Sequence, residues 1–211
     1  MQLSRNASLI LTVTVTLMTG AAWGAVPSAC APPSGFKDTP HPAIAPIDQL
    51  VSHTEEVIVN RSLDEVLAEG DRTPLNQAIR KSNSLPGVSG TYELTTAGFG
   101  KLGSRRLVCL TDGSTTEEEV LEHNRDKNSA QFRYVVWNYT TEKAHPILYG
   151  VGHFSWTDLG NERTQVRWTY SFQLNRQRFP GYLGSFGDFL FRVGFLDQEY
   201  ARMMRETLGK K

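Results

Sequence analysis

The chain is short of the residues that most often announce chemistry. Cysteine occurs twice, at Cys30 and Cys109. Histidine occurs five times (His41, His53, His123, His145, His153), with no i, i+4 pair on a helical pattern. A metal site would have to assemble across strands, and neither a metal nor a cofactor is expected. There is no Gly-x-Ser-x-Gly elbow, no Gly-x-x-x-x-Gly-Lys loop and no Cys-x-x-Cys pair, so the sequence offers no hydrolase nucleophile, phosphate cradle or redox motif. Excess charge is also lacking. Twenty-two Lys and Arg balance 22 Asp and Glu, which leaves no global field to attract nucleic acid or an anionic membrane. Beyond the N-terminus, no stretch is long and apolar enough to cross a bilayer.

What is present is strand alternation. From about Val88 to Leu174 the pattern predicts six successive strands with no helix between them. In Thr164–Leu174, Val166, Trp168, Tyr170, Phe172 and Leu174 alternate with polar residues at strict period two. An amphipathic helix then closes the chain. Phe186, Phe189, Leu190, Val193, Leu196, Tyr200, Met203, Met204 and Leu208 follow helical spacing. A curved antiparallel sheet cannot bury its concave face alone, and one long helix laid across it leaves an apolar cavity between the two.

The N-terminus has the three parts of a secretory signal: Arg5, the apolar run Leu9–Met18, and small residues from Gly20 to Ala25. Cleavage is expected after Gly24, giving a signal peptide over 1–24 and a protein exported to the periplasm or beyond. Six of the ten prolines then fall between Ala25 and Pro46, which predicts an extended linker over 25–49. Cys30 lies there. Its setting, Pro27-Ser28-Ala29-Cys30, matches a lipoprotein box only weakly, with proline where an aliphatic residue belongs. Cys109 falls inside a predicted strand and reads as a small buried apolar residue rather than as half of a disulfide. A single domain follows over 50–211. It opens with a strand at Thr54–Asn60, a helix capped by Ser62 and Glu65, and a second short helix at Leu75–Lys81.

Further cues lie along the strands: Gly103, Arg106, Asp112-Gly113, Glu118, Phe132-Arg133-Tyr134, and the Thr164–Leu174 strand before a long helix. In these residues and in element order the chain resembles the START-like, or SRPBCC, superfamily, in its polyketide cyclase/dehydrase and lipid-transport branch. The likeness covers roughly residues 50–208. It implies an α+β helix-grip fold: a curved antiparallel sheet of about seven strands wrapped on a long C-terminal helix, with two short helices after the first strand.

Cavity candidates follow: Arg106, Phe132, Tyr134, His153, Trp168, Tyr170, Phe172, Phe189 and Val193. Tyr and Trp supply apolar walls with a polar handle. A two-residue turn at Asp112-Gly113 would set Arg106 opposite Glu119. That pair reads either as a polar contact for a ligand carbonyl or as a solvent-facing ion pair. His153 shares a strand face with Tyr149, Val151 and Ser155. Gly181, Gly184 and Gly187 predict a flexible hinge at the start of the closing helix. The expectation is an exported binder of a lipid-like or polycyclic small molecule. The alternatives are a cyclase, aromatase or dehydratase using Arg106, Glu118, His153 and Tyr134, and an interaction module.

Overall fold

The computed structural model of the protein describes residues 30–82 and 84–209, so the signal-peptide region at 1–24 lies outside the described residues. Seven strands form one antiparallel sheet: β1 (Val51–Val59), β2 (Val88–Glu93), β3 (Arg105–Leu110), β4 (Thr115–Arg125), β5 (Ser129–Trp137), β6 (Ile147–Asp158) and β7 (Thr164–Leu174). Their order is β1-β7-β6-β5-β4-β3-β2. The chain therefore crosses once from one sheet edge to the other, through α1 (Leu63–Arg72) and α2 (Leu75–Ala78), and thereafter adds strands in succession. Ser62 and Glu65 close the expected capping box on α1, which satisfies two amide donors left free at the helix start. α2 ends at Ala78, short of the expected Lys81.

The closing helix runs from α3 (Ser185–Phe191) through a π-helical stretch at Arg192–Tyr200 into α4 (Ala201–Gly209). A π turn bonds i to i+5 and holds more residues than an α turn, so it rotates everything before it relative to everything after. Leu196, Met203, Met204 and Leu208 are buried as the helical spacing predicts. Before the π stretch and at its start the phase is turned: Phe191 is buried, while Phe186, Phe189 and Val193 are 61%, 54% and 38% exposed. The expected hinge also reads differently. A Cβ at Gly187 would sit 1.9 Å from the Pro180 carbonyl oxygen, and Gly184 holds a φ of 63°. These glycines permit close packing and a left-handed turn.

The core lies between sheet and helix. Val166, Trp168, Tyr170, Phe172 and Leu174 on β7 face Phe191, Leu196 and Met204. His53 on β1 bonds Asp197 (2.7 Å) in the π stretch and Glu55 (2.9 Å), tying the helix to the sheet edge. The outer face carries a second, smaller cluster around Val135, Trp137, Tyr149 and Val151, packed by Leu50, Ile44 and Ala45.

Within the expected linker, residues 30–46 form no helix or strand and are fastened to the sheet. Cys30 is disulfide-bonded to Cys109, which corrects the reading of Cys109 as a simple apolar residue. The two cysteines stand 79 residues apart in sequence, and no local pattern announces the pairing. Asp38 reaches Arg105, the Thr39 carbonyl accepts from Arg105 at 2.8 Å, and Ala45 N–H donates to the Tyr149 hydroxyl at 2.8 Å. Residues 30–46 are thus a strap across the outer face.

Candidate ligand cavity

Between sheet and helix lies a cavity of about 1110 Å³, ample for a drug-sized or lipid-like ligand by comparison with pockets of roughly 300–1,000 Å³. Much of its apolar wall comes from three places. β5 contributes Phe132, Tyr134 and Val136, β7 contributes Trp168, Tyr170 and Phe172, and the helix contributes Phe195, Tyr200 and Met203. β6, between β5 and β7, presents glycines where side chains would fill this space. A Cβ at Gly152 would fall 2.2 Å from the Tyr134 ring, and one at Gly150 would fall 2.6 Å from the Tyr170 ring. These two bare positions let both rings lie across the strand, which itself adds Phe154 and Trp156 to the lining.

Four tyrosines gather here. The Tyr134 and Tyr170 rings are 6.2 Å apart and Tyr170 and Tyr200 are 4.8 Å apart. Tyr170 also engages the hydroxyls of Tyr139 and Tyr200. Burial pushes all four phenols above their ordinary acidity range, which fixes them as protonated hydroxyl groups able to donate to a ligand.

One ion pair stands in this wall. Arg106 on β3 directs Nε and Nη2 to a single oxygen of Glu118 on β4, both at 2.5 Å. Arg106 Nη1 and Glu118 Oε1 carry no partner among the described residues. The guanidinium also lies over the Phe99 ring at 3.6 Å, a cation–π contact that leaves it planar and fixed against the wall. The pairing of Arg106 with Glu118 corrects the expected Glu119. The hairpin loop holds three residues, Thr111, Asp112 and Gly113, with Leu110 N–H bonded to the Ser114 carbonyl. The extra residue shifts the register by one and exchanges the faces of the glutamates. Glu119 instead faces outward beside Arg105 and His41.

The remaining candidates divide. Phe132, Tyr134, Trp168, Tyr170, Phe172 and Arg106 line the cavity. His153 lies on the opposite face of the sheet, in an outer groove with Arg133, Ser155, Arg167 and Thr169. Burial, aided by Arg133 and Arg167 and opposed by Glu122, lowers its affinity for a proton. A strict period of two places Val151, His153 and Ser155 together, and the buried outer cluster around Val151 shows which face that is. Phe189 and Val193 point to solvent because of the π stretch. Sequence reasoning missed Tyr139 and Phe99 as wall residues. Tyr200 follows helical spacing, while Tyr139 and Phe99 sit in loops with no periodic signal. Among the described residues no group of three His, Cys, Asp or Glu could hold a metal ion, and no helix is long and apolar enough to cross a membrane.

No family model matches the sequence, and no curated protein matches it. Solved structures do resemble it. A START superfamily protein from Mycobacterium smegmatis is 13% identical, over 74% of this chain and 93% of that one, with a TM-score of 0.50. The di-domain ARO/CYC StfQ from the steffimycin biosynthetic pathway is 15% identical, over 76% of this chain and 49% of that one, with a TM-score of 0.51. At such identities the likeness speaks to fold alone. The protein has a START-like (SRPBCC) helix-grip fold.

Proposed function

We propose that this protein is an exported binder of a hydrophobic small molecule, lipid-like or polycyclic, held in the cavity between sheet and closing helix. The observation that carries the reading is the cavity itself: about 1110 Å³, with a cluster of aromatic rings and the Arg106–Glu118 pair in its wall. Such a site takes an apolar body by burial and fixes one polar end on Arg106, Glu118 or a tyrosine hydroxyl. Export is supported by the signal-like N-terminus and by the Cys30–Cys109 disulfide, which suits an oxidising compartment. Organic extraction and native mass spectrometry of the purified protein should reveal a co-purified apolar ligand. If none is found, and 1-anilinonaphthalene-8-sulfonate neither binds nor is displaced by fatty acids or polycyclic aromatics, the reading fails.

A second reading, a cyclase- or dehydratase-type enzyme, is favoured by one observation: Arg106, Glu118 and Tyr134 meet in the same cavity. A carboxylate and a protonated phenol on one wall can exchange a proton with a bound polyketide-like substrate. Conversion of a poly-β-ketone analogue that is lost in Glu118→Gln, with binding retained, would separate catalysis from carriage.

A further inference from the structure

The N-terminal half of the closing helix and the turn before it expose an apolar surface that no other described residue covers. Phe179, Tyr182, Leu183, Phe186, Phe189 and Val193 are between 38% and 61% exposed. Phe186, Phe189 and Val193 stand at i, i+3 and i+7 on one helix face, and Phe179 and Tyr182, with rings 6.1 Å apart, lead into it. Single exposed apolar residues are ordinary, but six within fifteen positions form a patch of the kind that marks an interaction site. The patch has a sign as well. Arg176, Arg178 and Arg192 flank it against two acids, Asp188, which pairs with Arg176, and Asp197, which pairs with Arg192 at 3.3 Å. Arg178 has no ion-pair partner among the described residues.

We infer that this face docks on an anionic lipid bilayer. Aromatic side chains beside arginines suit the boundary between headgroups and acyl chains, where rings sink partway and cations meet phosphate. A second copy of the chain is the lesser fit, since a two-fold contact would bring the arginines of one copy against those of the other. The global charge balance does not oppose this, because attraction within a Debye length depends on the local cluster. The opposite side of the same helix segment packs on the cavity wall: Phe191 and Phe195 meet the wall residue Phe172 at 5.5 and 6.4 Å between ring centroids, and Phe195 itself lines the cavity. A docked bilayer would therefore lie one helix thickness from the ligand space.

The test places an environment-sensitive dye on Phe186→Cys and, as a control, on Leu102→Cys, which is 75% exposed in the β2–β3 loop. The native cysteines are joined to each other, so each added thiol is the sole label site. With vesicles of phosphatidylglycerol and phosphatidylcholine, the dye at 186 should shift to the blue while the dye at 102 stays unchanged. Tyr182→Ser with Phe189→Ser should weaken vesicle binding about tenfold, Arg178→Ala should weaken it by less, and phosphatidylcholine alone should bind poorly. Equal shifts at both positions, no shift at either, or binding made only through Leu9–Met18 would overturn the inference. So would a shift at 186 that needs no vesicles and grows with protein concentration, since that marks self-association.

Discussion

Arg105 and Arg106 are neighbours in the chain, and they live in different environments. Each pairs with a glutamate of β4, but on opposite faces of the sheet. Arg105 reaches Glu117, Glu119 and the strap residue Asp38, and lies 5.1 Å over Trp137. Glu117 is completely buried and also accepts from Asn138 at 2.6 Å. Arg106 with Glu118 stands in the wall of an open cavity, with a donor and an acceptor left over. The outer cluster is closed by the strap and held by several ion pairs, with Arg105 Nε and the Trp137 indole N–H buried without a hydrogen-bond partner among the described residues. The inner one is incomplete until something enters. The same residue types thus do structural work on one face and recognition on the other, and what separates them is the pleat of a single strand.

The largest perturbation of this division is removal of the strap's anchor. Cys30→Ser with Cys109→Ser frees a loop of 79 residues, and stability should fall by about 4 kcal/mol, read as a shift in the urea midpoint. Ligand affinity under native conditions should persist, because none of the strap contacts enters the cavity. A protein that stays folded and yet loses its ligand would mean that the two faces are coupled.

Next comes Arg105→Ala. It leaves Glu117 in the interior with no cation beside it, only Asn138 and the like-charged Asp38, and the loss should be about 3 kcal/mol near neutral pH. Burial already pushes the Glu117 carboxyl above its ordinary range near 4.5 against the pull of Asn138 and Arg105. The folded state thus holds a proton that the unfolded chain has released. Stability should therefore fall as pH rises from about 4.5 through the raised value, and Glu117→Gln should flatten that part of the profile. A flat wild-type profile across that window would remove the buried-acid account.

The inner pair should answer differently. Arg106→Met keeps the stem against Phe99 but leaves Glu118, 6% exposed, without its cation at the cavity wall, so stability should fall by about 2 kcal/mol. Affinity for a ligand with a polar end should drop about tenfold, the value of one charged hydrogen bond. Equal losses on Arg105→Ala and Arg106→Met in both stability and affinity would erase the distinction between the faces.

How much of this was legible in advance depended on distance along the chain. The β7 alternation and the Ser62–Glu65 cap are local, and the structure repeats them. The faces of Arg105 and Arg106 hung on whether the hairpin loop held two residues or three, and Asp112-Gly113 fits either. The helix stripe was visible, but the π stretch that turns Phe186 and Phe189 outward leaves no mark in hydrophobic spacing. Pairing of Cys30 with Cys109 depends on where a proline-rich segment lies in space, which periodicity does not encode. The cavity residues on β5 and β7 could be read because a strand alternates; Tyr139 and Phe99, in loops, could not.

The smallest expected effect sharpens the comparison from the outer side. His153 is half-exposed, and its proton affinity is lowered from the ordinary value near 6.5, chiefly by burial, with Arg133 and Arg167 adding to the effect and Glu122 opposing it. The unfolded chain therefore takes up a proton before the folded one does. Above about pH 6.5 both forms are neutral and the stabilisation is fully present. As pH falls through the lowered value it is lost. Because solvent screens a half-exposed group, the change should be about 0.5 kcal/mol or less. It should appear as a small drop in urea midpoint between about pH 8 and pH 5 that His153→Gln removes. Affinity for a neutral apolar ligand should stay level over the same range, since His153 and the cavity lie on opposite sides of the sheet. If affinity tracks the His153 titration and the His153→Gln change abolishes that dependence, the sheet transmits charge from its outer face to the ligand, and the two faces are one site.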